Sequence, residues 1–134
     1  MPDAETFFDT NVLLCLLSAD NAKADRAEEL LANGDVIGVQ VLNECAAVGS
    51  RKLGMSWSEI TEALDPVRAI CKIEPVTLAT HDRAIATAGR YGYSIYDATI
   101  VASALMAGCK TLYSEDLQEG HVVEKRLTIR NPFA

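Results

Sequence analysis

Four acidic residues that are far apart in the sequence each stand at the edge of an apolar segment. They are Asp9, Glu44, Asp97 and Asp116. Asp9 and Asp116 follow strand-like runs, whereas Glu44 and Asp97 open helix-like stretches. In a sheet with crossover helices, the C-terminal ends of the strands and the adjoining helix N-termini lie together. We therefore expect the four carboxylates to meet at one edge of a sheet.

A cluster of four carboxylates is unstable if every charge stays unscreened, because like charges a few ångströms apart repel strongly. Such a pocket takes up protons or a hard cation. Mg²⁺ and Mn²⁺ suit carboxylate oxygens, and a divalent cation held in this way promotes hydrolysis of phosphodiesters. The pattern therefore indicates metal-dependent phosphodiester chemistry.

Each of these acids also has a purely structural explanation. Asp9 fits an Asx turn leaving a strand, and Asp116 fits an ordinary polar loop, as does its neighbour Glu115. Asp97 fits the acidic third position of a capping box that begins at Ser94. For Glu44, spacing alone favours a solvated residue in the first turn of a helix. We prefer Asp116 to Glu115 because it is shorter and lies further along the turn.

Apolar periodicity and capping residues predict alternating strands and helices. The predicted strands cover residues 6–8, 36–41, 73–76, 111–113 and 127–129. The predicted helices cover residues 12–17, a segment from Asp20 or Asn21 to a stop at Asn33-Gly34, residues 42–53, a segment from a capping box at Ser56, a segment from a cap at Thr80 to Gly92, and residues 96–107. Pro66 is expected to kink or split its helix, and Pro75 to confine its strand to an edge. This alternation predicts a mostly parallel sheet with helices on both faces, a three-layer α/β/α sandwich.

Length and composition limit the classes of protein. A chain of 134 residues suits one domain, spanning 1–134, and no stretch approaches the length of a membrane span. The short acidic N-terminus is no secretory signal, so a cytoplasmic protein is expected. The net charge of −7 argues against a broad basic face that coats nucleic acid, but it does not exclude a nuclease. The four cysteines form no Cys-x-x-Cys pair, so buried thiols are favoured over a zinc site.

The acidic residues stand in motifs that resemble the PIN-domain ribonuclease family, and most closely the toxins of bacterial VapBC toxin–antitoxin modules. The matching stretches are Phe8–Val12, Glu44 after a strand, Ser94–Ile100 and Leu112–Gly120. Each motif is short, but they occur in the family's order, and the resemblance runs from residue 6 to about 130.

The resemblance implies the α/β/α fold, one or two bound divalent cations and endonucleolytic cleavage of RNA. It assigns the family's four acidic positions to Asp9, Glu44, Asp97 and Asp116, and its accessory polar positions to Asn11 and Ser114. It also implies a homodimer and a cognate antitoxin whose tail enters the site.

Two other functions remain open from the sequence. An aspartate after the first strand also suits a phosphatase of the haloacid-dehalogenase type, with Asp9 as covalent nucleophile. Such enzymes need a second aspartate two residues on, where this chain has Asn11. The other alternative is a PIN-like domain that binds a partner without catalysis.

Overall fold

A computed structural model of the chain describes residues 6–17, 20–33 and 35–133. Within these ranges it contains six strands and six helices. In chain order they are β1 (Thr6–Phe8), α1 (Thr10–Cys15), α2 (Asn21–Leu31), β2 (Val36–Gly38), α3 (Val39–Arg51), α4 (Trp57–Ile70), β3 (Lys72–Glu74), α5 (Leu78–Tyr91), α6 (Ile95–Met106), β4 (Thr111–Tyr113), β5 (Val122–Val123) and β6 (Leu127–Arg130).

The strands of the described ranges form one sheet in the order β3-β2-β1-β4-β6-β5. Only β5 is antiparallel to its neighbour; the other pairs are parallel. Register is set by Phe7, which lies opposite Val36 on one side and Leu112 on the other. The sheet is therefore mostly parallel, as the alternation of elements predicts.

The central strands are buried on both faces. Successive strand residues point to opposite faces, yet Phe7 and Phe8 are both buried, and so are Val36 and Ile37. Burial on both sides of a parallel sheet requires a layer of helices on each face, which confirms the predicted α/β architecture.

The second strand is shorter than predicted. Strand character was expected through Val41, but β2 ends at Gly38 and α3 begins at Val39. A Cβ atom at position 38 would lie 3.0 Å from Cζ of Phe7, closer than most Cβ contacts, so glycine allows this approach without moving the Phe7 ring. The helix then buries Val41, Cys45 and Gly49 along one stripe. Burial of this stripe outweighs the strand propensity of the β-branched residues.

One predicted helix cap is wrong, and of the kink or split predicted at Pro66 the split does not occur. Helix α4 continues through Pro66 instead of splitting there. The missing N–H of Pro66 would have bonded to the carbonyl of Glu62, and both residues are exposed, so water can solvate that carbonyl. Helix α5 is capped by Thr77, whose hydroxyl accepts a hydrogen bond from the backbone N–H of Thr80. Thr80 is therefore the third helical residue and not the cap.

The remaining predicted boundaries agree closely with the structure. Asp20 caps α2, the capping box at Ser56 is formed, and Gly92 ends α5 with a left-handed φ of 78°. Strand β3 lies at the sheet edge and ends before Pro75. The predicted stop at Gly34 lies outside the described residues, and the two-residue strand β5 was not predicted.

Two chain-wide properties complete the fold. All four cysteines are buried and none forms a disulfide. Among the helices of the described ranges, none has the length and apolar character that crossing a membrane requires.

Candidate active site

The candidate site lies where the strand order reverses. From β1 the chain proceeds through β2 to β3 on one side, and β4 pairs with the other side of β1. In open parallel sheets, the crevice at such a switch point, beyond the C-terminal strand ends, is the usual ligand site. Asp9 directly follows β1 and Ser114 directly follows β4. The backbone N–H of Asp9 donates to the carbonyl of Tyr113 at 3.0 Å, which joins the two strand ends.

Asp9 is held rigidly at this crevice. It is only 4% exposed, and its Oδ1 accepts a hydrogen bond of 2.6 Å from the backbone N–H of Thr10, so it also caps α1. Its Oδ2 accepts a hydrogen bond of 2.6 Å from the hydroxyl of Ser114. Each carboxylate oxygen has a second lone pair. Asp9 is therefore oriented by the fold and still has acceptor capacity for a cation.

Ser114 connects Asp9 to the turn that carries Asp116. Its buried hydroxyl donates to Asp9 and accepts from the backbone N–H groups of Asp116 and Leu117, at 3.2 and 3.1 Å. The next side chain, Glu115, turns away and forms an ion pair of 3.0 Å with Lys23 of α2. This geometry supports the choice of Asp116 over Glu115, because Asp116 is the one that lines the crevice.

Glu44 lies in the second turn of α3 and not in the first, because the helix begins earlier than predicted. Its Oε1 accepts a hydrogen bond of 2.8 Å from the hydroxyl of Thr10, and its Oε2 accepts one of 2.7 Å from the side-chain amide of Gln40. The carboxylate is thus fixed toward the residue that follows Asp9. A merely solvated glutamate would lack such a contact across 34 positions of sequence.

Asp97 lies in the first turn of α6. Its backbone N–H donates to the hydroxyl of the cap Ser94 at 3.1 Å. Ser94 is therefore the helix cap, as the sequence predicts, but the reciprocal bond of a capping box is not formed, and the Asp97 carboxylate lines the crevice.

All four predicted acids line the same open cleft, which has a volume of about 290 Å³. The complete lining is Asp9, Thr10, Asn11, Leu14, Glu44, Ala47, Val48, Asp97 and Asp116. Of the six residues singled out from the sequence, only Ser114 is absent from this wall. Its buried hydroxyl donates a hydrogen bond to Asp9, which does line the cleft. The cleft is hereafter called the acidic cleft.

The acids of the cleft affect one another electrostatically. Burial raises the pKa of Asp9 to about 6, hydrogen bonds from Ser114 and Thr10 oppose the rise, and the charges of Asp116 and Asp97 add to it. Burial also raises the pKa of Asp97, with further contributions from the charges of Glu44 and Asp116. The interactions link all four carboxylates, so they lie within mutual electrostatic range.

The four acids nevertheless do not form a closed cation cage. Among the described residues, no three side chains of Asp, Glu, His or Cys stand in an arrangement ready to hold a metal ion. The expectation of a tightly gathered carboxylate cluster is therefore only partly met. The acids line one cleft and interact electrostatically, but they are spread along its wall.

Asn11 adds an unpartnered polar group to the cleft. Both its amide nitrogen and its amide oxygen are buried without a hydrogen-bond partner. A buried polar group left unpaired costs about 1–3 kcal/mol, so a partner from outside the protein is expected. Oxygen-rich walls of this kind suit hard divalent cations and their bound waters.

Sequence reasoning missed Thr10 and Gln40 as residues that orient Glu44. Gln40 stands four positions before Glu44 on the same helix, a spacing that places two side chains on one face. That signal was hidden because residues 36–41 were predicted to be a strand. Thr10 had no local signal toward Glu44, since the contact depends on the packing of α1 against α3.

We predict that Ser114→Ala lowers the free energy of unfolding by about 2 kcal/mol, because a buried hydrogen bond to a carboxylate and two bonds to the turn are lost. The matched control is Ser103→Ala. Ser103 is equally buried, but its hydroxyl has no partner, so its removal should be neutral or stabilising. Urea unfolding of both variants tests the difference. Equal losses of stability would contradict the assigned role of Ser114.

Comparison with known proteins identifies the family. The family model described as PIN domain matches residues 6–122, which is most of the chain. The chain belongs to the PIN-domain family, as its motifs predicted. No curated protein gives a significant sequence match.

Solved structures of toxin–antitoxin proteins share the fold. Mycobacterium tuberculosis VapC20, a toxin that cleaves the sarcin–ricin loop, superposes with a TM-score of 0.69 and 24% identity, covering 84% of this chain and 90% of that one. A toxin–antitoxin complex from Klebsiella pneumoniae gives 0.72 and 17%, covering 96% and 98%. VapBC2 from Rickettsia felis, bound to a DNA fragment from its promoter, gives 0.68 and 16%, covering 94% and 97%.

Proposed function

We propose that this chain is a metal-dependent endoribonuclease that acts in the cytoplasm as the toxin of a type II toxin–antitoxin module. One observation carries the proposal. The four acids that match the family's acidic positions line a single cleft at the switch point of a PIN fold. Membership of the family and the likeness to VapC structures support the same function.

We propose Asp9 and Asp97 as direct ligands of Mg²⁺ or Mn²⁺, with Glu44 and Asp116 completing the shell directly or through water. When bound, the cation would neutralise charge on the scissile phosphate and make an attacking water more acidic. The unpartnered amide of Asn11 and the all-oxygen donor set fit this cation. Without it, the charges of Asp116 and Asp97 add to the effect of burial, which is the main cause of the raised pKa of Asp9.

The chain's own groups then hold and move protons. Glu44 is our candidate to accept a proton from the attacking water, and its hydrogen bonds from Thr10 and Gln40 support this choice because they fix its orientation. Ser114 keeps Asp9 fixed, so the ligand position does not depend on the substrate. No side chain needs to act as a covalent nucleophile. Single-stranded or looped RNA is the proposed substrate, because its backbone bends into a narrow cleft.

The proposed partners are a second copy of the chain and a cognate antitoxin. Similar structures were solved as toxin–antitoxin complexes, which supports the antitoxin. Helix α5 exposes Leu78 and Ile85, which lie seven positions apart and therefore on one face. This exposed apolar face supports a homodimer formed by the single domain, residues 1–134.

Cleavage of a labelled single-stranded RNA in Mg²⁺, in EDTA, and after Mn²⁺ is added back tests the function. The proposal expects cleavage only with the cation. It also expects cleavage to continue when the 2′-hydroxyl at the cut site is replaced by hydrogen, because water and not that hydroxyl attacks. Full activity in EDTA would overturn the metal mechanism. An acyl-phosphate trapped on Asp9 would instead indicate the phosphatase.

A further inference from the structure

The acidic cleft continues beyond its carboxylates into a groove between two helices. Leu14 lies about one turn after Thr10 on α1, and Ala47 and Val48 lie about one turn after Glu44 on α3; all of them line the cleft. The carboxylates of Asp9 and Glu44 therefore stand at one end, and the walls beyond them are apolar. If the scissile phosphate of an RNA strand lies at the carboxylates, the nucleotides beside it must follow the neighbouring protein surface. The apolar groove is such a surface, because it adjoins the carboxylates.

Arg51 is the last residue of α3 and lies beyond the residues that line the cleft. It follows Glu44 by seven positions, Ala47 by four and Val48 by three, so all of them share one face of α3. Side chains of a helix lean toward its N-terminus, which directs Arg51 back toward Val48. Seven residues span about 10 Å along a helix, so Arg51 stands beside the flanking backbone and not at the scissile phosphate.

Arg51 is also without an acidic partner, whereas five other cations of the described residues form ion pairs. Ion pairs join Lys23 to Glu115, Arg26 to Glu29, Arg68 to Asp65, Arg83 to Glu124 and Arg130 to Glu119. Arg51 is exposed and has no ion pair among the residues that the structure describes. In a chain of net charge −7, Arg51 is thus an unpaired guanidinium on the helix face that carries Glu44, Ala47 and Val48 of the cleft wall.

We propose that Arg51 binds a phosphate of the RNA strand that flanks the cut, and so supplies the local cationic contact that this acidic protein lacks elsewhere on the cleft. The inference rests on the proposed function for its substrate. A guanidinium binds phosphate through two parallel N–H donors and stays charged at every working pH. The apolar walls between Glu44 and Arg51 contact the sugar and base. The contact of Arg51 itself is to the phosphate backbone, so it is independent of the RNA sequence.

The test measures binding and cleavage separately. Binding of a fluorescein-labelled single-stranded RNA is measured by anisotropy over a range of salt, in an Asp9→Asn background that prevents cutting. Arg51→Ala should weaken binding several-fold and reduce the slope of log K against log salt by about 0.7, the value for one phosphate contact on a single strand. Arg51→Lys should keep most of the slope. In the active enzyme, Arg51→Ala should raise KM and leave kcat unchanged.

Arg126→Ala is the matched control. Arg126 is exposed and directly precedes β6. Because β6 runs parallel to β4, Arg126 lies beside the N-terminal ends of these strands, whereas the cleft lies at their C-terminal ends. Its removal should change neither the slope nor KM. An unchanged slope in Arg51→Ala overturns the inference even if the wild type cuts RNA. The inference is also overturned if Arg51→Ala weakens binding of polyglutamate, used as a probe for an acidic protein partner, but does not weaken binding of RNA. If the wild type does not cleave RNA, the proposed function is contradicted. The role of Arg51 in binding is still tested, because binding is measured in the Asp9→Asn background and does not depend on cleavage.

Discussion

Replacing Asp9 with asparagine is expected to reduce Mg²⁺-dependent cleavage of RNA by at least about 100-fold while the fold stays intact. Removing a residue that only orients a metal ligand typically costs 10–100-fold, so the loss of a direct ligand should cost at least as much. Asparagine keeps the shape of the side chain and remains a good helix cap, so the change removes the charge and the hydrogen bond that Oδ2 accepts from Ser114. Initial rates on a labelled RNA, together with circular dichroism, measure both effects.

Asp20→Asn is the control for this change. Asp20 caps α2 as Asp9 caps α1, and it does not line the acidic cleft. Its replacement should leave the cleavage rate within about twofold of the wild type, since a distant charge contributes little once screened by salt. Full activity of the Asp9→Asn variant would show that Asp9 has no part in the chemistry.

Without divalent cations, the protein should become more stable as the pH falls from about 7 toward 5. The pKa of Asp9 rises from 3.8 to about 6 on folding, chiefly through burial. The folded state therefore binds a proton more tightly than the unfolded state, and ionised Asp9 opposes folding above pH 6. Protonation relieves this cost. The full shift corresponds to about 3 kcal/mol, approached only as the pH nears 4.

The window from about pH 7 to pH 5 isolates this effect best. The raised pKa of Asp97 acts in the same direction. Glu59 acts in the opposite direction, because a hydrogen bond from Ser56 lowers its pKa, but its stabilisation is lost only as the pH falls below its ordinary value of 4.5. Urea unfolding in EDTA across this window gives the free energies.

The Asp9→Asn variant supplies the comparison for the pH experiment. It should show a smaller pH dependence in this window, with only the contribution of Asp97 left, and should exceed the wild type in stability at pH 7.5 in EDTA. The order should reverse when saturating Mn²⁺ is added, because a cation that binds only the folded wild type stabilises it. Parallel curves for the two proteins would contradict the unfavourable ionisation of Asp9.

The sequence was most informative where the signal is local. A buried strand that ends in Asp9 before an apolar helix predicted both the strand end and the site, and Ser94 predicted the cap that places Asp97. The mostly parallel sheet followed from the alternation of elements. These features depend on neighbouring residues, so a single sequence contains most of what determines them.

Features that depend on tertiary packing were not predictable in the same way. The β-branched residues after Gly38 favour a strand, yet the close approach of Phe7 and the buried stripe of α3 start a helix there. Glu44 consequently sits one turn further into its helix than expected. Its contact with Thr10 spans 34 positions and cannot be found from spacing. The family resemblance, and not the local pattern, assigned Glu44 to the candidate site.

The central claim is that the acids of the cleft bind one divalent centre, and crystals grown with Mn²⁺ test it most directly. We expect an anomalous difference peak in the acidic cleft, in contact with carboxylate oxygens of Asp9 and Asp97, and its loss in Asp9→Asn crystals. A cleft without such a peak at saturating Mn²⁺, or a peak that persists unchanged in the variant, would contradict the account.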